Sequence, residues 1–457
     1  MEKEGDGVRG HARAYKLDMT EGEIWPVLLA FTGPLLLENL LQLLYNTVDS
    51  VVVGQYVGLS ALAAVSATTH ICNMLVRFFN GTAVGAGVVI SRSFGAKDGE
   101  KLRRSIQTTM SLTFLACVVL TVIGVCGSDW LLRQISTPPD VFEEASLYLR
   151  IYFGGIAGML VYNMGGAILR AMGDTRRPLL FLLFCSGLNV VLDLVFVLCF
   201  RWGIAGVAIA TILSQAISAL LVLFVLARST GALNWRALPR PDWPLSGQIL
   251  RIGLPVGLQM AIVAFSNVFV QAYINVFGTA CIAGWGCYVK LDQYMMLPIQ
   301  SMGQAVTTFV GQNLGAEKPA RAVKGTWIAF GMIFAISSGV ATTLYTFARP
   351  LTMLFSTAPE AVQYGTLFIR MCCPVAVVCC FNQVLSGALR GAGNSQMPML
   401  ITLCTHVLFR QIYLFCLTRI IPDNVYVVGF GYPAGWILCA IAVTVYYNLY
   451  QRRAAAL

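Results

Sequence analysis

Four carboxylates, Glu38, Asp49, Asp193 and Asp292, stand inside long apolar runs. A carboxylate at the centre of a bilayer costs about 3 kcal/mol on insertion scales, so each is by default a candidate for function. In PLLLENLLQLLYNTVDSVVVG (34–54), Glu38, Gln42, Asn46 and Asp49 recur at steps of 4, 4 and 3, which makes one polar stripe on a helix. In FCSGLNVVLDLVFVL (184–198), Ser186, Asn189 and Asp193 share a face at steps of 3 and 4. The next apolar run offers Thr211, Ser214 or Gln215, and Ser218. Carboxylates with amide and hydroxyl oxygens form a hard-oxygen set suited to Na+. Two close carboxylates in a low dielectric cannot both stay ionised, which suits proton exchange equally well. Asp49, Asn189, Asp193 and Thr211 are therefore the expected ion site. The plainer readings are that Asp49 snorkels to the interface and that Asn189 and Asp193 only join helices.

Further polar groups lie in apolar runs: Asn163, Asn267, Gln271, Lys290, Asp292 and Arg410. Asn163, Asn267, Gln271, Asp292 and Arg410, with Glu38, Gln42 and Asn46, are expected to form a substrate or secondary polar site. Asp292 has two readings, an ion pair with Arg410 and a group facing substrate. Lys290 and Asp292 are two apart and do not face each other on a helix. His70 and His406 could relay protons, but neither has an acid one turn away, which favours satisfied interior histidines. Met74, Phe78, Phe265, Phe269 and Tyr273 could line an adaptable apolar pocket, although packing is the default for any one of them.

These groups must be held by membrane helices. The 457 residues are 57% hydrophobic and only 11% charged, against about 25% charged in soluble domains. The mean hydropathy is +0.72. That composition cannot coat a soluble surface, and it excludes a nucleic-acid module or secreted disulfide scaffold. Runs without strict alternation, too long for barrel strands, exclude a lipid-exposed sheet. Apolar stretches fall near 26–53, 59–90, 105–127, 145–172, 178–200, 203–227, 248–275, 279–310, 325–347, 362–390, 397–420 and 428–450, which gives twelve helical spans. Of 31 Lys and Arg, 22 fall on the termini and even-numbered loops, which places both termini in the cytoplasm. The net charge of +10 is thus first a topology signal. The 14 cysteines lie mostly in apolar runs without metal-ligand spacing and read as small apolar fillers.

The chain also repeats itself at an offset of 220 residues. ISRSFGAKDGEKLRRS (90–105) aligns with VGQNLGAEKPARAVKG (310–325), and ILRAMGDTRRP (168–178) with ALRGAGNSQMP (388–398). Pairs such as Gly95/Gly315, Pro139/Pro359, Arg170/Arg390 and Gly173/Gly393 share that one register. Six spans per repeat is an even number, so the repeats enter the membrane in the same orientation, and substrate sites are expected at their interface. The expected organisation is a cytoplasmic tail (1–25), an N-lobe (26–227), a polar linker (228–247), a C-lobe (248–450) and a cytoplasmic tail (451–457). The lobes differ: Phe409 stands where Asn189 would be, and the counterpart of Asp49 is apolar.

No GxxxxGK[ST], HExxH or GxSxG occurs, so neither an ATPase site nor a hydrolase site is expected. Three features carry a resemblance. They are Pro34-x14-Asp49-x4-Gly54, the paired FGAKDGEKLRRS and GQNLGAEKPARA segments, and LRAMGDTRRP with LRGAGNSQMP. On them, and over nearly the whole chain after residue 20, the sequence resembles the MATE (multidrug and toxic compound extrusion) transporters, in particular their DinF-like bacterial branch. The resemblance implies an all-α polytopic membrane protein of two parallel six-helix repeats. It implies no enzyme and no cofactor, but export of amphipathic, often cationic, organic compounds by H+ or Na+ antiport from the plasma membrane. Its ion-coupling residues match Asp49, Asn189, Asp193 and Thr211, and Pro34 looks like the family's proline where helix bending is proposed. The implied partners are small organic substrates and the bilayer, not nucleic acid, and the chain is expected to act as a monomer. The alternative within the superfamily is a flippase for lipids or lipid-linked oligosaccharides.

Overall fold

The computed structural model describes residues 17–52, 59–134, 137–230, 241–422 and 424–455, and among these all regular structure is helical. In chain order come α1 (Ile24–Val52), α2 (Leu59–Gly95), α3 (Gly99–Gln134), α4 (Pro139–Gly154), α5 (Ile156–Ala171), α6 (Arg176–Leu194) and α7 (Gly203–Thr230). They continue as α8 (Trp243–Asn275), α9 (Thr279–Gly315), α10 (Pro319–Thr346), α11 (Ala348–Met353), α12 (Pro359–Ala376), α13 (Cys379–Gly391), α14 (Gln396–Thr402), α15 (Arg410–Ile420) and α16 (Val425–Ala455). Two π-helical turns interrupt this series, Val195–Cys199 after α6 and Leu403–Phe409 between α14 and α15.

Nine of the described helices are long and apolar enough to cross a bilayer, or up to eleven if each of two bent pairs counts as one span. The pairs are α4 with α5, bent by 49°, and α12 with α13, bent by 43°. The causes differ. At the first bend the chain has Gly154–Gly155, and a Cβ on Gly155 would sit 2.4 Å from Ile212 of α7. At the second, Pro374 removes a backbone donor near the end of α12. The 37-residue α9, which carries Lys290 and Asp292, is long enough to span but is not among the nine.

The repeat is visible in the backbone. Helix starts fall 220 residues apart at Leu59/Thr279, Gly99/Pro319, Pro139/Pro359 and Arg176/Gln396. Both α2 and α9 end through a left-handed residue, Lys97 (φ 56°) and Glu317 (φ 56°). Each is followed by the same closing bond, Asp98 N to Ser93 O at 3.3 Å and Lys318 N to Asn313 O at 2.8 Å. Gly173 (φ 87°) and Gly393 (φ 82°) close α5 and α13 in the same manner. Next, Asp174 Oδ1 accepts from Arg177 N at 3.1 Å, and Asn394 Oδ1 accepts from Met397 N at 3.4 Å, each capping the next helix.

Two compact units divide the described chain. Unit 1 holds Gly33–Gly253 and the two residues before Met19, while unit 2 holds Met19–Thr32 and the chain from Leu254 on. The division crosses α1 next to Pro34, which lies inside that helix. Within unit 1, α5 packs against α2, α3 and α7. Phe153, Ile90, Ile106 and Met110 are fully buried in its core. Leu115, Val118, Val122 and Ile123 of α3 are exposed instead, as expected of a helix face that meets lipid. Within unit 2, α9 is the central helix, packed on α10, α12 and α13. Residues 19–21 bind the end of α9 and the start of α10: Met19 N donates to Gln312 Oε1 at 3.1 Å, Lys318 Nζ to Thr20 O at 2.9 Å, and Arg321 Nη2 to Glu21 O at 2.9 Å.

Candidate functional site

In unit 1 the sequence-derived pair is assembled. Asn189 and Asp193 lie one turn apart on α6, so their side chains share a face. Both are fully buried. Thr211 reaches the same place from α7 and is 7% exposed. With the amide nitrogen turned toward the acid, Asn189 donates to Asp193 Oδ2 at 3.1 Å and to Tyr45 Oη at 3.3 Å, and its oxygen accepts from Thr211 N at 3.3 Å. Thr211 Oγ1 donates back to Val207 O at 3.0 Å, which leaves its lone pairs for an acceptor role. Ser214 and Ser218 continue the buried polar line along α7. The π turn begins two residues after Asp193. Such turns widen a helix locally and are frequent at functional sites.

Asp49 and Asn46 lie in α1, but their side chains fall outside the described residues, as does that of His70. The rest of the α1 stripe separates. Glu38 is buried and Gln42 is exposed. Glu38 accepts from Arg170 Nη1 of α5 at 2.8 Å. Asn163, also on α5, is half-buried. Sequence reasoning missed Tyr45 and Arg170. The available signal for Arg170 was its place in the repeated LRAMGD/LRGAGN segment, inside a helix rather than in a loop.

In unit 2 the candidates split into three. Arg410 and Asn267 are joined: Arg410 Nη2 donates to Asn267 Oδ1 at 2.9 Å and to Ser266 Oγ at 2.8 Å. Gln271 instead donates to Asn275 Oδ1 of its own helix at 2.9 Å and is half-buried. Asp292 is half-buried on α9 and is not a partner of Arg410, so the ion-pair reading gives way to a guanidinium held by neutral groups. Lys290 lies over the Phe355 ring at 5.3 Å. His406 Nδ1 is 3.0 Å from Thr405 Oγ1, one turn before Arg410.

The MatE family model matches residues 34–195 and 255–413. The chain belongs to the MatE family. It is 30% identical over 432 residues, 94% of this chain and 96% of the relative, to "Probable multidrug resistance protein YpnP" of Bacillus subtilis. It is 28% identical over 436 residues, 94% of each chain, to "Probable multidrug resistance protein YoeA" of the same organism. The solved structure described as the outward-facing conformation of a multidrug resistance MATE family transporter of the MOP superfamily shares the fold. Its TM-score is 0.89 at 22% identity, covering 97% of this chain and 99% of that one.

As a MatE protein the chain is a multi-pass membrane transporter and not an enzyme. Its two matched stretches correspond to the two halves of the 220-residue repeat. The MatE match ends at 195 in the first half, two residues after Asp193, and at 413 in the second, three after Arg410. Each half thus includes the polar residue that adjoins a π turn.

Proposed function

We propose that this MatE protein is a secondary active exporter of amphipathic organic compounds, often cationic, driven by H+ or Na+ antiport through alternating access. The observation that carries the reading is the fully buried Asp193, bonded to Asn189 beside Thr211 in unit 1. A buried acid among amide and hydroxyl oxygens has the chemistry to bind and release a small cation. Asp49 is the proposed second carboxylate of this site, and Asn189 and Thr211 complete it. The names of the curated relatives support multidrug substrates.

In this mechanism the coupling ion and the drug compete for one outward-opening conformation. Either ligand shifts the conformational equilibrium only by its difference in affinity between the two states. Converting a 1:99 population into 99:1 takes about a 10⁴-fold difference. Pro34 is the proposed bending point of α1, since its missing N–H frees a carbonyl one turn earlier. We place both termini in the cytoplasm and the protein, as a monomer, in the plasma membrane. The basic residues of the termini and even-numbered loops support that orientation.

Dye efflux from proteoliposomes under imposed Na+ and pH gradients, applied separately, tests the proposal. Export should follow one gradient, and Asp49→Asn should abolish it while the protein stays folded. Undiminished export by that variant would overturn the coupling assignment. Scrambling of labelled lipid precursors without dye transport would instead establish the flippase alternative.

A further inference from the structure

We infer that unit 2 holds an anion-binding site centred on Arg410, which takes the carboxylate, sulfonate or phosphate end of an amphipathic aromatic compound. The inference extends the export reading by naming a substrate class, but the site stands on its own geometry. Arg410 is 2% exposed, and its guanidinium stays charged in any protein environment. A buried charge normally has a counter-ion, because desolvation is expensive. Among the described residues Arg410 has none. Its partners are the neutral Ser266 and Asn267 through Nη2, and the Tyr432 ring 4.6 Å from Cζ. Tyr432 is also a hydrogen-bonding partner of the guanidinium, whereas Nε is buried without an acceptor among the described residues. The Nε donor is therefore unused, at the edge of a planar guanidinium whose geometry matches an oxyanion.

The surroundings are built rather than incidental. Gln411 Nε2 donates to Ser266 Oγ at 3.1 Å and to Ser266 O at 3.2 Å, which fixes that hydroxyl. Tyr432 Oη donates to Asn267 Oδ1 at 3.2 Å. Asn267 is exposed and Tyr432 half-buried, so a ligand can approach from their side. The buried Trp285 and Trp436 rings back the Tyr432 ring at 5.5 Å and 5.9 Å, and the half-buried Tyr432 offers an aromatic face to an apolar body. The π turn Leu403–Phe409 ends directly before Arg410 and breaks the 3.6-residue period that would otherwise set its direction. The counterpart of Arg410 in the first repeat is Val190, so the charge belongs to unit 2 alone. A structural role would be met as well by a glutamine, which can make the same two bonds without burying a charge.

The test uses the purified full chain in phosphatidylcholine nanodiscs, with binding of 2-naphthoate and its uncharged analogue 2-naphthamide measured by calorimetry. No ion gradient is present, so failure of the coupling proposal leaves this result untouched. The wild type should bind the carboxylate about tenfold more tightly than the amide, as a charge-assisted bond predicts. Arg410→Gln should reduce the preference to near unity. Asn267→Asp, which places a carboxylate beside Nη2, should remove it and raise the melting temperature. The second variant keeps the test decisive if the first fails to fold. Equal wild-type binding of both probes, or a preference retained in a folded Asn267→Asp protein, would overturn the site. Loss of the preference in phosphatidylglycerol discs would assign the site to a lipid headgroup and overturn its assignment to a soluble compound.

Discussion

Arg170 Nη1 donates to Glu38 Oε1 at 2.8 Å, an ion pair that joins α5 to α1 inside unit 1. The Glu38 side chain is 11% exposed and that of Arg170 22%, so water screens the pair little. Among the described residues Glu38 Oε2 has no hydrogen-bond partner, which makes the single contact to Oε1 the main restraint on this acid. Removing one member of a buried pair leaves the other uncompensated and costs about 3–5 kcal/mol. Glu38→Ala should fall at the low end, about 3 kcal/mol, because Arg170 keeps some access to water. Glu38→Leu combined with Arg170→Met should recover much of that loss, since apolar replacement of a whole buried pair is often near neutral. Reversible unfolding of the purified variants in a double-mutant cycle measures this coupling. Strictly additive losses would show that the pair does not act as a unit.

Asp193→Asn should lower ion-driven dye export to background while leaving the fold intact. The substitution keeps the shape and the bond to Asn189 but removes the charge that would bind a cation. Asn189→Ala should weaken coupling less, because it removes an orienting group and one oxygen but keeps the acid. The comparison to make is ion dependence: Asn189→Ala should export only at a higher Na+ or H+ concentration. Wild-type ion dependence in Asn189→Ala would remove that residue from the proposed site.

Local periodicity carried the parts of this site that lie on one helix. Asn189 and Asp193 share a face at four residues' spacing, and the 220-residue register reappears in the turn geometry at Lys97/Glu317 and Gly173/Gly393. Partners across helices were not legible. Arg170 meets Glu38 over 132 residues of chain, and nothing in the spacing of either predicts the encounter. Gln42 shows the limit of a helical wheel: it shares a sequence stripe with Glu38, yet it is exposed where Glu38 is buried. Arg410 departs from simple periodicity for a physical reason, since the π turn before it shifts the phase of every residue that follows. The candidate acid partner, Asp292, is the one in-span acid of the second repeat, but the structure supplies Ser266 and Asn267 instead.

Gly387→Val should destabilise unit 2 by forcing α9 and α13 apart. A Cβ at Gly387 would lie 2.4 Å from Gly303 O and 3.3 Å from Thr307 Oγ1. The close approach also allows Thr307 Oγ1 to donate to Gly387 O at 3.1 Å across the helix pair. Small residues are the usual means of such contacts in membranes. Because the obstructing atom is backbone, the neighbour cannot rotate away, and the cost should be about 3 kcal/mol or more, at the upper end of overpacking effects. Gly331→Val on α10, where a Cβ would meet nothing within 4 Å, is the control and should be nearly neutral. Equal melting temperatures for the two variants would reject the close-packing argument.

Asp242 organises the start of α8 by three contacts. Its Oδ1 accepts from Leu245 N at 3.3 Å, its own N–H donates to Thr108 Oγ1 at 3.1 Å, and Oδ2 meets Arg104 Nη2 at 2.5 Å. The first is a helix N-cap, worth about 1 kcal/mol. The last joins a guanidinium that is 58% exposed, so it should contribute under about 1 kcal/mol. Asp242→Ala should therefore destabilise unit 1 clearly more than Arg104→Ala does. Salt separates the two effects further. Raising ionic strength should erase the Arg104→Ala difference by screening an exposed pair, while the Asp242→Ala loss largely persists because the cap is local. Melting curves of both variants at low and high salt make the comparison. Equal losses that vanish together in high salt would mean that Asp242 acts only through Arg104.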